Sequence, residues 1–88
     1  MKHAGPDTLA ALASLLARLR ALPGLAERTP GCFYRGSTAF LHFHEDPAGT
    51  HADLKLDARG FTRVRAATPQ EQDALVAAAR AALEAARR

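Results

Sequence analysis

A chain of 88 residues builds one hydrophobic core, and its 48% of apolar residues excludes the disordered class, so residues 1–88 should form a single domain. The net charge of +3 is compatible with a polyanionic partner but is too small to indicate one. The only cysteine, Cys32, excludes an internal disulfide, and no apolar run is long enough to span a bilayer, so we expect a cytoplasmic protein without a membrane partner.

The first predicted element is an amphipathic helix in the segment GPDTLAALASLLARLRALPG. Leucines recur there at three- and four-residue steps from Leu9 to Leu19, which places them on one face of a helix. Pro23 and Gly24 end this helix, because proline cannot continue it and glycine can adopt the left-handed cap.

Four short segments with β character follow: GCFYR, TAFLHFHE, HADLKLD and FTRVRA. The turn signals GS, DPAG and ARG separate them. These connections are too short for crossovers, so neighbouring strands should pair antiparallel in a meander. The preceding segment LAERTP, residues 25–30, is a candidate for one further short strand.

The last predicted element is a helix in the segment TPQEQDALVAAARAALEAARR. Thr68, followed three residues later by Glu71, forms a capping box, and Pro69 occupies the first helical position. A sheet with one apolar face needs a cover, which the apolar faces of both helices can provide. The predicted fold is therefore α+β: a two-layer sandwich in which N- and C-terminal helices cover one face of a four-stranded antiparallel meander (αββββα).

The DPAG turn sets the register of the central hairpin. It places His44 opposite His51 and His42 opposite Asp53, and alternation along the strands sends all four side chains to one face. An H-x-H step spans about 7 Å along a strand and a cross-strand neighbour is about 5 Å away, so the four side chains can converge. Imidazole and carboxylate ligands suit zinc, iron, nickel or manganese. We therefore predict a divalent-metal site, with zinc as the first candidate, formed by His42, His44, His51 and Asp53; the alternative is that they are simply the solvated polar face of the sheet.

The flanking hairpins complete the predicted inner face of the sheet. A three-residue loop, Ala58–Gly60, pairs Leu54 with Val64, and we prefer it to a two-residue loop because it matches apolar residues with one another. A tight GS turn pairs Cys32 with Leu41. The predicted inner-face residues are Cys32, Tyr34, Leu41, Phe43, Leu54, Leu56 and Val64.

The outer face of the predicted sheet also carries aromatic and cationic side chains. These are Phe33, Arg35, Phe40, Lys55, Arg63 and Arg65. Exposed apolar patches often mark homodimer contacts, and exposed aromatics between cations also suit the stacking of single-stranded nucleic acid. The leading functional prediction is a binding or interaction module that uses this open face, with a homodimer ranked ahead of nucleic acid.

Catalysis is the alternative class of function. Asp53 beside His42 can orient an imidazole for acid–base chemistry. A nucleophile beside His42 is missing. Cys32 is predicted on the opposite face of the sheet from His42, and Ser37 lies on the order of 15 Å from His42 along an extended strand. No catalytic residue is therefore predicted, and an enzyme would have to be a small metal- or His-dependent hydrolase completed by a second subunit.

The segment LPGL, followed by HFHED and then HADLKLD, resembles small bacterial domains that carry the family name "luciferase domain". The resemblance covers residues 22–57: an LPG helix end, a strand with a histidine step, and an acidic strand. The family name does not imply light emission. What the resemblance implies for this chain is a small bacterial protein with a functional role for His42, His44 and Asp53.

Overall fold

Residues 2–87, the part of the chain that this computed structural model describes, form a six-stranded antiparallel sheet and three helices. The strands are β1 (Lys2–His3), β2 (Ala26–Thr29), β3 (Cys32–Arg35), β4 (Thr38–Asp46), β5 (Gly49–Asp57) and β6 (Gly60–Arg65). The helices are α1 (Pro6–Ala11), α2 (Ala13–Arg20) and α3 (Pro69–Ala86). The α+β class and the antiparallel sheet are confirmed, but the prediction of four strands is wrong.

The two additional strands lie at the edges of the predicted meander. β2 falls within the segment LAERTP and pairs with β3, so the order along the sheet is β2-β3-β4-β5-β6. β1 pairs with β4 beyond the end of β3, and the Ala4 N–H extends this pairing by donating to the Phe43 carbonyl at 3.1 Å. A strand of two residues is too short to show a periodic pattern in the sequence. Because β1 continues the edge that β3 leaves open, β4 has hydrogen-bonded partners on both sides along nearly its whole length.

The helices form where they were predicted, although the first one is interrupted. α1 and α2 meet at Leu12, whose ψ of 13° departs from helical values. α3 begins with the predicted capping box, in which the Thr68 hydroxyl accepts from the Glu71 N–H at 3.1 Å and the Glu71 carboxylate accepts from the Thr68 N–H at 3.0 Å. No helix within residues 2–87 is both long enough and apolar enough to cross a membrane.

One hydrophobic core joins the helices to the sheet. Its largest fully buried side chains are Leu15 and Leu19 of α2, Leu75 of α3, and Phe33, Leu41, Phe43 and Leu54 of the sheet. Burial of such side chains stabilises the fold by about 1.5–3 kcal/mol each. The core therefore occupies the face of the central hairpin that carries Leu41 and Leu54, as the alternation of residues predicted.

Phe33 and Phe40 are part of this core, so the prediction that they lie on the outer face is wrong. They are 1% and 2% exposed. Tyr34 pairs with Ala39 as predicted, but Phe33 pairs with Leu41, so that Phe40 is an extra residue in β4. Such an irregularity shifts the register by one residue, so the side chains of β3 lie on the face opposite to the predicted one.

The same shift removes Cys32 and Tyr34 from the predicted inner face. Cys32 pairs with His42 instead of Leu41, and neither Cys32 nor Tyr34 belongs to the buried core. The Arg28 guanidinium lies 4.6 Å from the centroid of the Tyr34 ring, which is a cation–π contact. Cys32 is therefore a neighbour of a histidine on β4, contrary to the prediction that it faces away.

The β5–β6 hairpin closes through a two-residue turn, so the predicted three-residue loop is wrong. Asp57 pairs with Gly60, and Leu56 is an extra residue in β5 that is 44% exposed. Together the short turn and the extra residue place Val64 opposite Ala52. Its predicted partner was Leu54, two positions further along β5. A displacement of two residues preserves the face of every side chain, so Val64 still packs against the core.

Candidate metal centre

The central hairpin has the register that the DPAG turn predicted. His42 lies opposite Asp53, and His44 lies opposite His51. Cross-strand partners share a face, so this pairing brings the H-x-H step of β4 next to a carboxylate of β5. His44 and Asp53 are each only 8% exposed, which shows that neighbouring side chains cover this part of the sheet.

A third imidazole comes from β1, which the sequence pattern did not identify. His3 pairs with His44, and the centroid of its ring lies 4.7 Å from that of His44 and 5.8 Å from that of His42. Glu45 ties the same segment to β4, since its carboxylate accepts the Gly5 N–H at 3.1 Å. The pairing of β1 with β4 therefore places residue 3 beside a hairpin that lies far along the chain.

The three imidazoles turn nitrogen atoms toward one another. One nitrogen from each of His3, His42 and His44 lies within 4.8 Å of the other two, and His42 Nδ1 is 2.7 Å from His44 Nε2. Donors bound at about 2.1 Å to a tetrahedral zinc ion are about 3.4 Å apart. The observed range includes this value, so small rotations of the side chains suffice to place the three nitrogens around one ion.

Asp53 adjoins this group and is held by Arg63. Asp53 Oδ2 is 3.1 Å from His44 Nε2 and 4.0 Å from His42 Nδ1. The Arg63 guanidinium donates two hydrogen bonds to the carboxylate, from Nε to Oδ1 at 2.8 Å and from Nη2 to Oδ2 at 3.0 Å. Carboxylates in this position orient metal-binding histidines or the water on the metal, and a bidentate arginine fixes the carboxylate.

The protonation states of these groups suit metal binding. The hydrogen-bonded Arg63 guanidinium holds the pKa of Asp53 below its usual range, although burial acts in the opposite direction. Burial lowers the pKa of His42, and the nearby His44 imidazole adds to this effect while Asp53 opposes it. Metal ions bind ionised carboxylates and neutral imidazoles, so at neutral pH Asp53 and His42 are both in the protonation state that binds a metal.

The two ring nitrogens of His44 have different surroundings. Its Nε2 faces His42 and Asp53, while its Nδ1 is buried and has no hydrogen-bond partner among residues 2–87. His51 Nδ1 is also buried without a partner, so this feature is shared by both members of the cross-strand histidine pair and does not single out His44.

Other predicted residues are not brought into this group. His51 lies beside His44 in the register, but it is not among the three histidines whose nitrogens converge. Arg65 turns toward α3, with its Nε 3.4 Å from the Glu71 carboxylate. Arg35 and Lys55 line a depression that also touches α3. Of the six residues predicted to form an interaction surface, Arg63 alone contacts Asp53, the carboxylate beside the converging histidines, in the described part of the chain.

Phe61 contributes an exposed aromatic ring that the sequence pattern did not indicate. The ring is 5.0 Å from that of His42, measured between centroids, and Phe61 is 43% exposed. Phe61 pairs with Lys55 because Leu56 is an extra residue in β5. The shifted register thus places an aromatic side chain at the edge of the histidine group.

Acidification should destabilise the metal-free protein through His42. Its pKa in the folded state lies below the ordinary value of 6.5, so the unfolded chain binds more protons, and the stabilisation present above pH 6.5 is lost as the pH falls from there toward the folded-state pKa. Urea midpoints at about pH 7.5 and about pH 5.5 should therefore differ less for His42→Gln than for the original protein. Equal differences in the two proteins would contradict this expectation.

Comparison of the chain with protein-family models, with curated proteins and with solved structures gives no match. The resemblance to luciferase-domain proteins stays a prediction.

Proposed function

We propose that this protein is a binding module that holds a divalent transition metal, zinc first among the candidates, through His3, His42 and His44. The observation that supports this proposal most strongly is the convergence of three imidazole nitrogens within 4.8 Å of one another. Imidazole is a good ligand for zinc, copper, iron and nickel, and three protein ligands are a common set for a zinc ion. Relative to the sequence prediction, His3 takes the place of His51.

The surroundings of the histidines favour a metal site over a solvated polar face. Residues on a solvated face point independently into water, whereas His44 is 8% exposed and its Nε2 lies within 3.1 Å of donor or acceptor atoms on His42 and Asp53. The Asp53–Arg63 pair supplies the hydrogen-bonded carboxylate that commonly accompanies metal-binding histidines.

The predicted homodimer and nucleic-acid surfaces lose their main support. Both interpretations depended on Phe33 and Phe40 being exposed, and both side chains lie in the core. Arg65 is engaged with Glu71 of α3. Metal binding is therefore the function that we put forward.

Metal binding and its ligands can be tested by substituting two histidines that differ in position. The purified chain should bind one equivalent of zinc, measured by elemental analysis and by calorimetric titration. His3→Ala should weaken the affinity by at least about a hundredfold, since loss of an outer-sphere partner alone costs about 10- to 100-fold. His51→Ala is the matched control and should bind zinc as the original chain does. Absence of zinc binding, or a loss caused by His51→Ala and not by His3→Ala, would contradict the proposal.

A further inference from the structure

We infer that the metal centre takes a small oxyanion, a carboxylate or phosphate group, as an additional ligand, with Arg63 as the second anchor of that anion. This inference rests on the proposed function, because the anion binds to the metal ion. It assigns Arg63 and Phe61 to ligand binding beyond the three histidines.

The charges of the site favour an anion. Three neutral imidazoles leave the double positive charge of the ion uncompensated, and Asp53, the carboxylate that contacts the histidines, is already paired with Arg63. Among residues 2–87, no other carboxylate joins the convergent histidines. A partly covered site with excess positive charge attracts anions more strongly than the same charge in open water does.

The coordination also leaves room for an additional ligand. A metal with three protein ligands keeps a position for water or an added ligand, as catalytic zinc sites do. His3 is exposed, and the side chain of His42 is 24% exposed, so solvent reaches two of the three proposed ligands. An anion can therefore reach the metal without a rearrangement of the fold.

Arg63 is placed to hold the anion on its other side. Its side chain is 49% exposed, and Nε and Nη2 contact Asp53. Nη1 makes no hydrogen bond to a described residue, so it can donate to a ligand. The guanidinium therefore has a free donor group beside the carboxylate that adjoins the histidines.

Phe61 gives the site one apolar wall. Its exposed ring lies 5.0 Å from the His42 ring and is two residues from Arg63 on β6, hence on the same face. An anion that carries an aromatic group can contact this ring while its carboxylate reaches the metal. We therefore expect benzoate to bind more tightly than acetate.

The experiment uses the full chain loaded with cobalt(II), whose visible absorption reports its ligands. Titration with phosphate, acetate and benzoate should each produce a saturable change in the cobalt bands. Arg63→Gln should weaken anion binding by about tenfold or more, the equivalent of one charge-assisted hydrogen bond. Arg35→Gln is the control, because Arg35 is exposed and lies away from the histidines. Arg63→Lys, which keeps the charge without the planar fork, should give an intermediate affinity.

The outcomes separate the two proposals. Failure of the original chain to bind cobalt or zinc would refute the proposed function. Stoichiometric cobalt with bands that do not respond to any of the three anions would refute the inference alone, since it would show a closed coordination sphere. Equal anion affinity in the original chain and in both Arg63 variants, with cobalt bound in all three, would also overturn it.

Discussion

Replacing Phe33 by alanine is expected to lower the free energy of unfolding by about 3–5 kcal/mol. The side chain is 1% exposed and lies opposite Leu41 in the core, so its removal leaves a cavity between the sheet and the helices. A typical domain has about 5–15 kcal/mol of stability, so the variant would lose a large share of it.

Phe61→Ala is the matched control for this substitution. Phe61 is 43% exposed, and a change of an exposed side chain usually alters stability by about 0.5 kcal/mol. Chemical denaturation of the two variants measures the contrast directly. Equal losses would place Phe33 on the outer face, as the simple alternation of residues predicted.

Zinc should stabilise the protein against heat, and the double variant His42→Ala/His44→Ala should show no such effect. A ligand present at a hundred times its dissociation constant stabilises the folded state by about 2.7 kcal/mol. The double variant removes two of the three converging imidazoles and leaves only His3. The measurement is the shift in melting temperature on adding zinc, taken separately for each protein so that their different starting stabilities do not matter.

His51→Ala provides the comparison for the zinc-dependent shift. It also removes an imidazole from the same face of the hairpin, but one that does not converge with the others. This variant should keep the full shift. A shift that survives in the double variant would mean that zinc binds elsewhere on the chain.

The central hairpin was predictable because two independent signals in the sequence agree on it. The DPAG turn sets which residues pair, and the alternation of His42, Phe43 and His44 shows which side faces the core. The structure has this register, including His42 opposite Asp53. Local rules suffice where turn length and residue period give the same answer.

The pairings with the flanking strands β3 and β6 were less predictable because each involves an extra residue in the central hairpin, Phe40 in β4 and Leu56 in β5. Phe40 and Leu41 are both apolar and both buried, so the pattern gives no sign that one of them interrupts the alternation. Leu56 continues the alternation of Leu54 and Lys55, so the pattern predicts an inner-face residue and gives no sign that it is extra. The placement of such irregularities is decided by packing against the helices, which the sequence does not display locally.

The contribution of His3 depended on tertiary structure alone. β1 has two residues, and its position follows from the edge of β4 that the shorter β3 leaves uncovered. No spacing rule links residue 3 to the histidines of β4. The sequence therefore indicated the hairpin half of the candidate site and not the third imidazole.

The extra residue Leu56 separates the turn of the β5–β6 hairpin from the part of the hairpin that carries Asp53 and Arg63. Lys55 pairs with Phe61 and Asp57 pairs with Gly60, so deletion of Leu56 alone would leave a regular two-residue hairpin. Asp53 would still lie opposite Arg63, and Val64 would still face the core. Shortening β5 at this one position should therefore preserve the contacts of the candidate site.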